Sequence, residues 1–361
     1  MIPLRLPLLM TILLTTFILF TQSIGRLSPS AGQISFQFGQ HERALYLLDL
    51  TSKLTIQLAR GTNPYPNYTW SPDGSQLAYV APVNGKGDLF SVDIRCASWF
   101  TSCGTPLNLT HHREADSEPA WSPDGTGLIF VSERNGAPEL YWIAATGGTA
   151  YNLTNDSATD SFPVWSPDGH YLAFYSDRSG NFEVYVMNMA CLRQLQSCPT
   201  AIHRLGGGFN SLPAWSPDSQ HLAYFANGDI LLTPTACLAQ SNDCHLHARN
   251  LTRSAYTDWA PAWLPDSQHL LFQSNRDNHP ETYIADIACS DTNTTCTVRF
   301  DTDLIINGSA DVAPDKRHLV LIANDGDHHE LFMLPIDGGE SQQLTHFGGQ
   351  ILNPRWRPAQ P

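Results

Sequence analysis

The sequence predicts an all-β fold: a seven-bladed β-propeller of four-stranded antiparallel blades, closed by a composite blade with three strands from one end of the chain and one from the other. Three observations carry this. The pentapeptide Trp-Ser-Pro-Asp-Gly begins at Trp70, Trp121 and Trp165, and weaker copies begin at Trp215, Trp263, Val312 and Trp356. Successive copies lie 51, 44, 50, 48, 49 and 44 residues apart, a period at which each repeat is one supersecondary unit that buries its apolar faces only against its neighbours. Each period also reads as four short strands, and the two chain ends supply complementary parts of a further unit.

Residues 161–205 show the pattern of one unit. A short apolar strand at 162–165 is followed by a turn at 166–169, an apolar run at 171–175, a polar turn at 177–181, an alternating strand at 182–187 and a last short strand at 202–205. In the turn, proline presets φ, the aspartate side chain accepts backbone N–H groups and glycine tolerates positive φ. Asp73, Asp124, Asp168, Asp218, Asp266 and Asp315 are therefore read as turn caps rather than metal ligands, and the tryptophans as wedges between neighbouring blades.

The blade number follows from the ends. Residues 33–38, 44–50 and 54–58 form three strands before the first motif, and residues 354–357 supply a single strand at the last motif position, Trp356. Three plus one completes a sheet and removes the exposed edges that an open array would present. A six-bladed ring is the alternative, with residues 33–58 outside it.

The formal net charge of −14 excludes a phosphate backbone as an attractive partner, so nucleic acid is ruled out. Residues 6–24 carry no charge and follow Arg5, as a signal peptide does. As a helix at ~1.5 Å per residue the stretch would reach ~28 Å, so a retained membrane anchor is the other reading. Residues 1–25 are assigned to this segment, 26–33 to a linker and 34–361 to the propeller. The eight cysteines fall into four Cys-x6-Cys pairs, Cys96 with Cys103, Cys191 with Cys198, Cys237 with Cys244 and Cys289 with Cys296. None has the spacing of a zinc knuckle, and an exported chain favours oxidation, so four hairpin-stapling disulfides are expected. The location is extracytoplasmic: periplasmic, cell-surface or secreted.

The units Trp-Ser-Pro-Asp-Gly-x-x-Leu-Ala-Phe/Tyr, with Asn-Leu-Thr at Asn108, Asn152 and Asn250, make the chain similar to TolB-type propellers over about nine tenths of its length. The resemblance implies fold more than function, because this repeat serves periplasmic adaptors, sensor ectodomains and the propeller halves of oligopeptidases. The chain departs from TolB in lacking room for an N-terminal α/β domain and in its cysteine pairs. It departs from prolyl-oligopeptidase relatives in lacking Gly-x-Ser-x-Gly and the hydrolase that carries it. Propellers that are pectin-fragment lyases hold manganese through histidines. Here His221, His269 and His318, with His170 one place earlier, occupy one turn position on separate blades, where they are expected to face solvent. The adjacent pairs His111 with His112 and His328 with His329 point to opposite faces, and no histidine metal site is predicted.

The candidate site comes from the position five residues before each motif tryptophan, which reads Tyr65, Asp116, Asp160, Asn210, Asp258, Asn307 and Ile351. These residues are expected to ring one mouth of the central channel, with Phe162 and Trp259 beside them. Asp116, Asp160, Asn210, Asp258 and Asn307 could together hold a divalent cation, a basic peptide segment or a polyhydroxylated sugar. Arginines at Arg134, Arg178 and Arg276, each in a Ser-x-Arg hairpin, are expected to pair with turn carboxylates of adjacent blades. Asn67, Asn108, Asn152, Asn155, Asn250, Asn293 and Asn307 fit Asn-x-Ser/Thr, a pattern that the repeat itself explains for Asn-Leu-Thr. No cofactor motif and no catalytic motif is recognised. The reading is an exported, non-catalytic scaffold that binds a protein or carbohydrate ligand at the channel mouth, touching a membrane only through residues 1–25 if these are retained. The alternative is a metal-assisted polysaccharide lyase or hydrolase.

Overall fold

The computed structural model describes residues 32–39, 43–62, 68–95, 105–194, 202–208, 212–239, 244–289, 297–300, 302, 304, 310–325 and 328–359. They form seven four-stranded antiparallel sheets arranged as a ring. Blade 1 is the composite: the closing strand Ile351–Trp356 is innermost, followed by Gln33–Phe38, Arg43–Asp49 and Leu54–Thr62. Register across the closure runs from Ile34 opposite Trp356 to Phe38 opposite Ile351. Blades 2 to 7 begin with the inner strands Tyr68–Trp70, Asp116–Trp121, Asp160–Trp165, Ala214–Trp215, Asp258–Trp263 and Asp311–Val312. The seven blades and the three-plus-one closure stand as predicted. The terminal segment assigned to residues 1–25, and most of the linker, lie outside the described residues.

The core is a set of seven inter-blade layers rather than one centre. Because side chains alternate across a strand, Leu128 and Phe130 of blade 3 pack toward blade 2 with Val80 and Leu89. Ile129 and Val131 of the same strand pack toward blade 4 with Leu172 and Phe174. The sheets are thus buried on both faces, which is why their second strands read as near-continuous apolar runs. The layer that closes the ring joins Val320 and Ile322 of blade 7 to Ile34, Phe36 and Trp356 of blade 1.

The repeated turn does what its chemistry predicts. Asp73 Oδ1 accepts from Ser71 Oγ at 2.6 Å and from the Ser75 N–H at 3.0 Å, and the Ser71 hydrogen bond holds its carboxyl below the ordinary value. The same serine-to-aspartate bond recurs at 2.6 Å in Asp124, Asp168 and Asp218. The tryptophans are inter-blade wedges with a hydrogen bond as well. Trp165, Trp215 and Trp263 donate Nε1–H to the carbonyls of Ala120, Val164 and Ala214 in the preceding blade, at 3.2, 3.0 and 2.9 Å. The Asn-Leu-Thr asparagines are clamps: Asn108 and Asn250 donate to Asp88 and Asp229 at 2.7 Å, and Asn152 to Glu139 at 2.6 Å.

Of the four cysteine clips, Cys237–Cys244 is a disulfide with a Cα–Cα distance of 5.5 Å, and Cys289 is disulfide-bonded. Cys96, Cys103, Cys198, Cys296 and the Cys191 side chain lie outside the described residues.

Candidate functional site in the central channel

Asp116, Asp160 and Asp258 open the inner strands of blades 3, 4 and 6, but their carboxylates turn into the sheets. Their exposures are 1%, 0% and 0%. Each is met by the arginine of its own blade: Arg134 to Asp116 at 3.1 Å, Arg178 to Asp160 at 3.0 Å and Arg276 to Asp258 at 3.2 Å. The same arginines donate Nε–H to Ser132, Ser176 and Ser274 at 2.8, 2.8 and 2.9 Å. Their guanidinium planes lie over aromatic pairs, as Arg276 does over Tyr283 at 4.3 Å and Phe272 at 5.5 Å, adding cation–π attraction. These pairs lie within blades; of the expected pairing with turn carboxylates of adjacent blades, Arg178 shows one case, reaching Asp156 Oδ2 in the loop that leaves blade 3 at 3.2 Å. At Asp160 burial outweighs the arginine and pushes the carboxyl above its ordinary value. The three carboxylates are brought to equivalent places in three separate sheets and do not converge. Asn210 and Asn307 lie outside the described residues.

The residues that do face one another lie two to four positions further along. In blades 3, 4 and 6 the inner strand bulges just before its proline, with register shifts at Ser117/Ala120, Ser161/Val164 and Trp259/Ala262. The residue before each proline takes a left-handed conformation: Glu118 (φ 52°), Phe162 (φ 54°) and Ala260 (φ 53°), with Asn353 (φ 51°) equivalent in blade 1. Proline supplies no N–H to the ladder, so it belongs at such a bulge. The bulges of blades 3 and 4 carry Glu118 and Phe162 to the lining of a cavity of about 360 Å3 on the propeller axis, whose wall also includes Tyr68, Trp165, Leu212, Asp311 and Arg355. Phe162 thus lines this cavity, whereas Trp259, expected with it at the channel mouth, is not part of the lining.

Electrostatically the cavity is asymmetric. Burial pushes the Glu118 carboxyl up to about 7, against the opposing effect of the Phe162 N–H, which donates to Glu118 Oε2 at 2.5 Å. Burial also raises the Asp311 carboxyl, offset by Arg355 and by the Trp356 N–H that reaches Asp311 Oδ2 at 2.7 Å. Arg355 Nη1 stands 3.7 Å from Asp311 Oδ1. Tyr68 Oη lies against the carbonyls of Ser35, at 3.0 Å, and Asn353, and burial holds its phenol protonated well above the ordinary value. A carboxyl poised near neutral pH on the wall of a partly aromatic cavity is suited to proton transfer.

The histidines stay apart. His269 and His318 pair with Asp266 and Asp315 of their own turns at 2.6 Å, and His170 lies 3.0 Å from Asp168. His221 differs from the expected solvent-facing position: its ring stacks on Trp263 with centroids 6.2 Å apart, and burial lowers its pKa. Among the described residues, no group of three or more His, Cys, Asp or Glu side chains is placed to hold a metal ion.

Sequence reasoning missed Glu118, Asp311 and Arg355. A signal was available. The position just before the motif tryptophan is Thr, Ala or Val in blades 2 to 6 but Asp311 and Arg355 in blades 7 and 1, and a charge where the repeat needs only a small residue has no structural reason in the repeat itself.

Comparison with known proteins agrees with this architecture. The TolB beta propeller domain family matches residues 23–154 and 116–196. The uncharacterized peptidase YuxL of Bacillus subtilis is 37% identical over 83 residues, covering 22% of this chain and 12% of the peptidase. The Tol-Pal system protein TolB of Bordetella pertussis is 29% identical over 155 residues, 29% of this chain and 35% of the relative. The chain thus matches about a third or less of the length of these curated relatives. The periplasmic gluconolactonase of Pseudomonas aeruginosa superposes with a TM-score of 0.59 at 15% identity, over 91% of this chain and 99% of that one. At that identity the likeness shows the fold alone. It nevertheless corrects the expectation of a non-catalytic scaffold, which rested on the missing hydrolase module. A propeller matched along 99% of its length carries an enzyme's name, so the expected absence of that module is no argument against catalysis.

Proposed function

The chain belongs to the TolB-like β-propeller family, and from that footing we propose that its central channel binds a carbohydrate-derived ligand with which Glu118 exchanges a proton during hydrolysis or elimination. The observation that carries this reading is the Glu118 carboxyl at about 7 on the wall of the axial cavity. A group with that pKa is half ionised at neutral pH and serves as base and acid in turn. In hydrolysis it takes a proton from the attacking water as the new C–O bond forms and returns it to the departing oxygen. In elimination it removes the proton from the carbon beside a carboxylate or carbonyl while the neighbouring C–O bond breaks, and it gives that proton to the departing oxygen. Phe162, Leu212 and Trp165 offer apolar surface to the faces of a sugar ring, and Asp311, Arg355 and Thr69 offer polar groups to its hydroxyls. The Cys237–Cys244 bond and the apolar segment within residues 1–25 support an extracytoplasmic place of action.

The test is an activity screen of the purified protein on aldonolactones and uronate-containing oligosaccharides, following acid release and unsaturated product. The wild type turns over at least one of them. Glu118→Gln loses roughly 10²–10⁴-fold in kcat with its folding intact. Equal rates for the two proteins on every substrate turned over would remove Glu118 from the reaction.

A further inference from the structure

The channel wall carries a guanidinium that departs from the repeat pattern. In blades 2 to 6 the position just before the motif tryptophan holds Thr, Ala or Val, so a small side chain suffices for ring closure there, yet blade 1 has Arg355. Its side chain is 37% exposed and lines the axial cavity. The nearest carboxylate oxygen, Asp311 Oδ1, is 3.7 Å away, beyond hydrogen-bonding distance, while Asp311 Oδ2 is held by the Trp356 N–H at 2.7 Å. A guanidinium has five donors in a planar fork that matches a carboxylate. Elsewhere in this protein arginines are placed closer to their partners, as Arg178 is to Asp160 at 3.0 Å. The same cavity is lined by the ring of Phe162 and the apolar side chains of Pro163 and Leu212.

We propose that the axial cavity selects sugar acids, with Arg355 pairing to the ligand carboxylate while the ring packs on the Phe162 side. This rests on the reading of the channel as a carbohydrate site and names the subclass. Asp311 sharpens the choice of anion. A phosphate monoester brings nearly two charges at neutral pH against that neighbouring carboxyl, whereas a sugar carboxylate brings one and presents the flat, two-oxygen face that a guanidinium fits.

The inference is tested by calorimetry or ligand-observed NMR with D-glucuronate and D-galacturonate, their neutral counterparts D-glucose and D-galactose, and a glutamate-containing tripeptide. The wild type is expected to bind at least one of the acids roughly tenfold or more tightly than its neutral counterpart, as a charge-assisted bidentate pair gives. Arg355→Met should abolish that preference. Asp311→Asn, whose amide oxygen still accepts the Trp356 N–H, should keep or increase it because the competing carboxylate is gone. If Arg355→Met fails to fold, Asp311→Asn decides alone, and a fall in acid preference there overturns the proposal. Equal binding of acid and neutral sugar in the wild type overturns the sugar-acid inference while leaving the carbohydrate reading standing. No binding of any sugar overturns both, and tighter binding of the tripeptide than of either acid replaces the sugar by a peptide carboxylate.

Discussion

Glu118 Oε2 accepts the Phe162 N–H at 2.5 Å, so the carboxylate of one blade is held by the backbone of the next, at the two bulges that bring both residues to the channel. The bond favours the charged form, but burial outweighs it and leaves the group near 7 rather than at its ordinary 4.5.

This displacement makes a stability prediction with a definite sign. Across pH 4.5 to 7 the folded protein holds a proton on Glu118 that the unfolded chain has released, so stability falls as pH rises through that window. Glu118→Gln removes the effect. The difference in unfolding free energy between variant and wild type should change little below pH 4.5 and grow in favour of the variant by on the order of 3 kcal/mol above pH 7. A difference that stays constant from pH 4 to 8 would contradict it.

The Asp–Arg pairs are structural, and their removal should separate stability from binding. Asp160→Asn removes the buried carboxylate that Arg178 meets at 3.0 Å and leaves Arg178 with Asp156 alone, at 3.2 Å, and denaturant unfolding should show a loss of roughly 1–3 kcal/mol. Affinity for a channel ligand should change less than about twofold, a margin within ordinary context effects. A large loss of affinity in a variant that keeps its stability would return Asp160 to the binding site.

The disulfide should contribute as an eight-residue loop does. Cys237→Ala with Cys244→Ala opens the described clip, and the expected loss is about 2.5 kcal/mol, read as a lower denaturation midpoint. The variant and the oxidised wild type unfolding at one midpoint would exclude this contribution.

Ring closure can be probed at a glycine. Gly74 and Gly125 are equivalent turn residues with φ of 63° and 71°. A Cβ at Gly74 would stand 2.6 Å from the Pro358 carbonyl oxygen, whereas at Gly125 the nearest atom is 3.8 Å away. Gly74 also hands its carbonyl to Arg357 Nε at 2.7 Å, and Arg357 lies over the Trp70 ring at 5.7 Å. Gly125→Ala should cost the backbone term alone, ~1–2 kcal/mol, and Gly74→Ala at least ~1 kcal/mol more. Equal costs would show that the chain terminus yields without loss.

The turn, the period and the end segments made the ring legible, because each is local chemistry repeated seven times. The channel was not legible for a reason of parity. Plain alternation puts residues five apart, such as Asp116 and Trp121, on opposite faces, so the aspartate row reads as pointing away from the core. The bulge at Glu118 and Pro119 inserts a residue into the ladder and returns Asp116 to the buried face. The sequence held two hints of this. Proline inside a six-residue strand marks a bulge, and the aspartates of the row occur in the same three blades as the Ser-x-Arg hairpins, 18 residues apart each time. Glu118 itself stands alone at its repeat position, so repetition could not reveal it.

The account depends on Glu118 titrating near neutrality in contact with the channel's ligand. Carbon-detected NMR of the glutamate carboxyls, with Glu118 assigned by its loss in Glu118→Gln, measures this directly. The account predicts a midpoint of about 7 that moves when D-glucuronate or D-galacturonate is added. A midpoint at the ordinary 4.5, indifferent to both sugars, would contradict it.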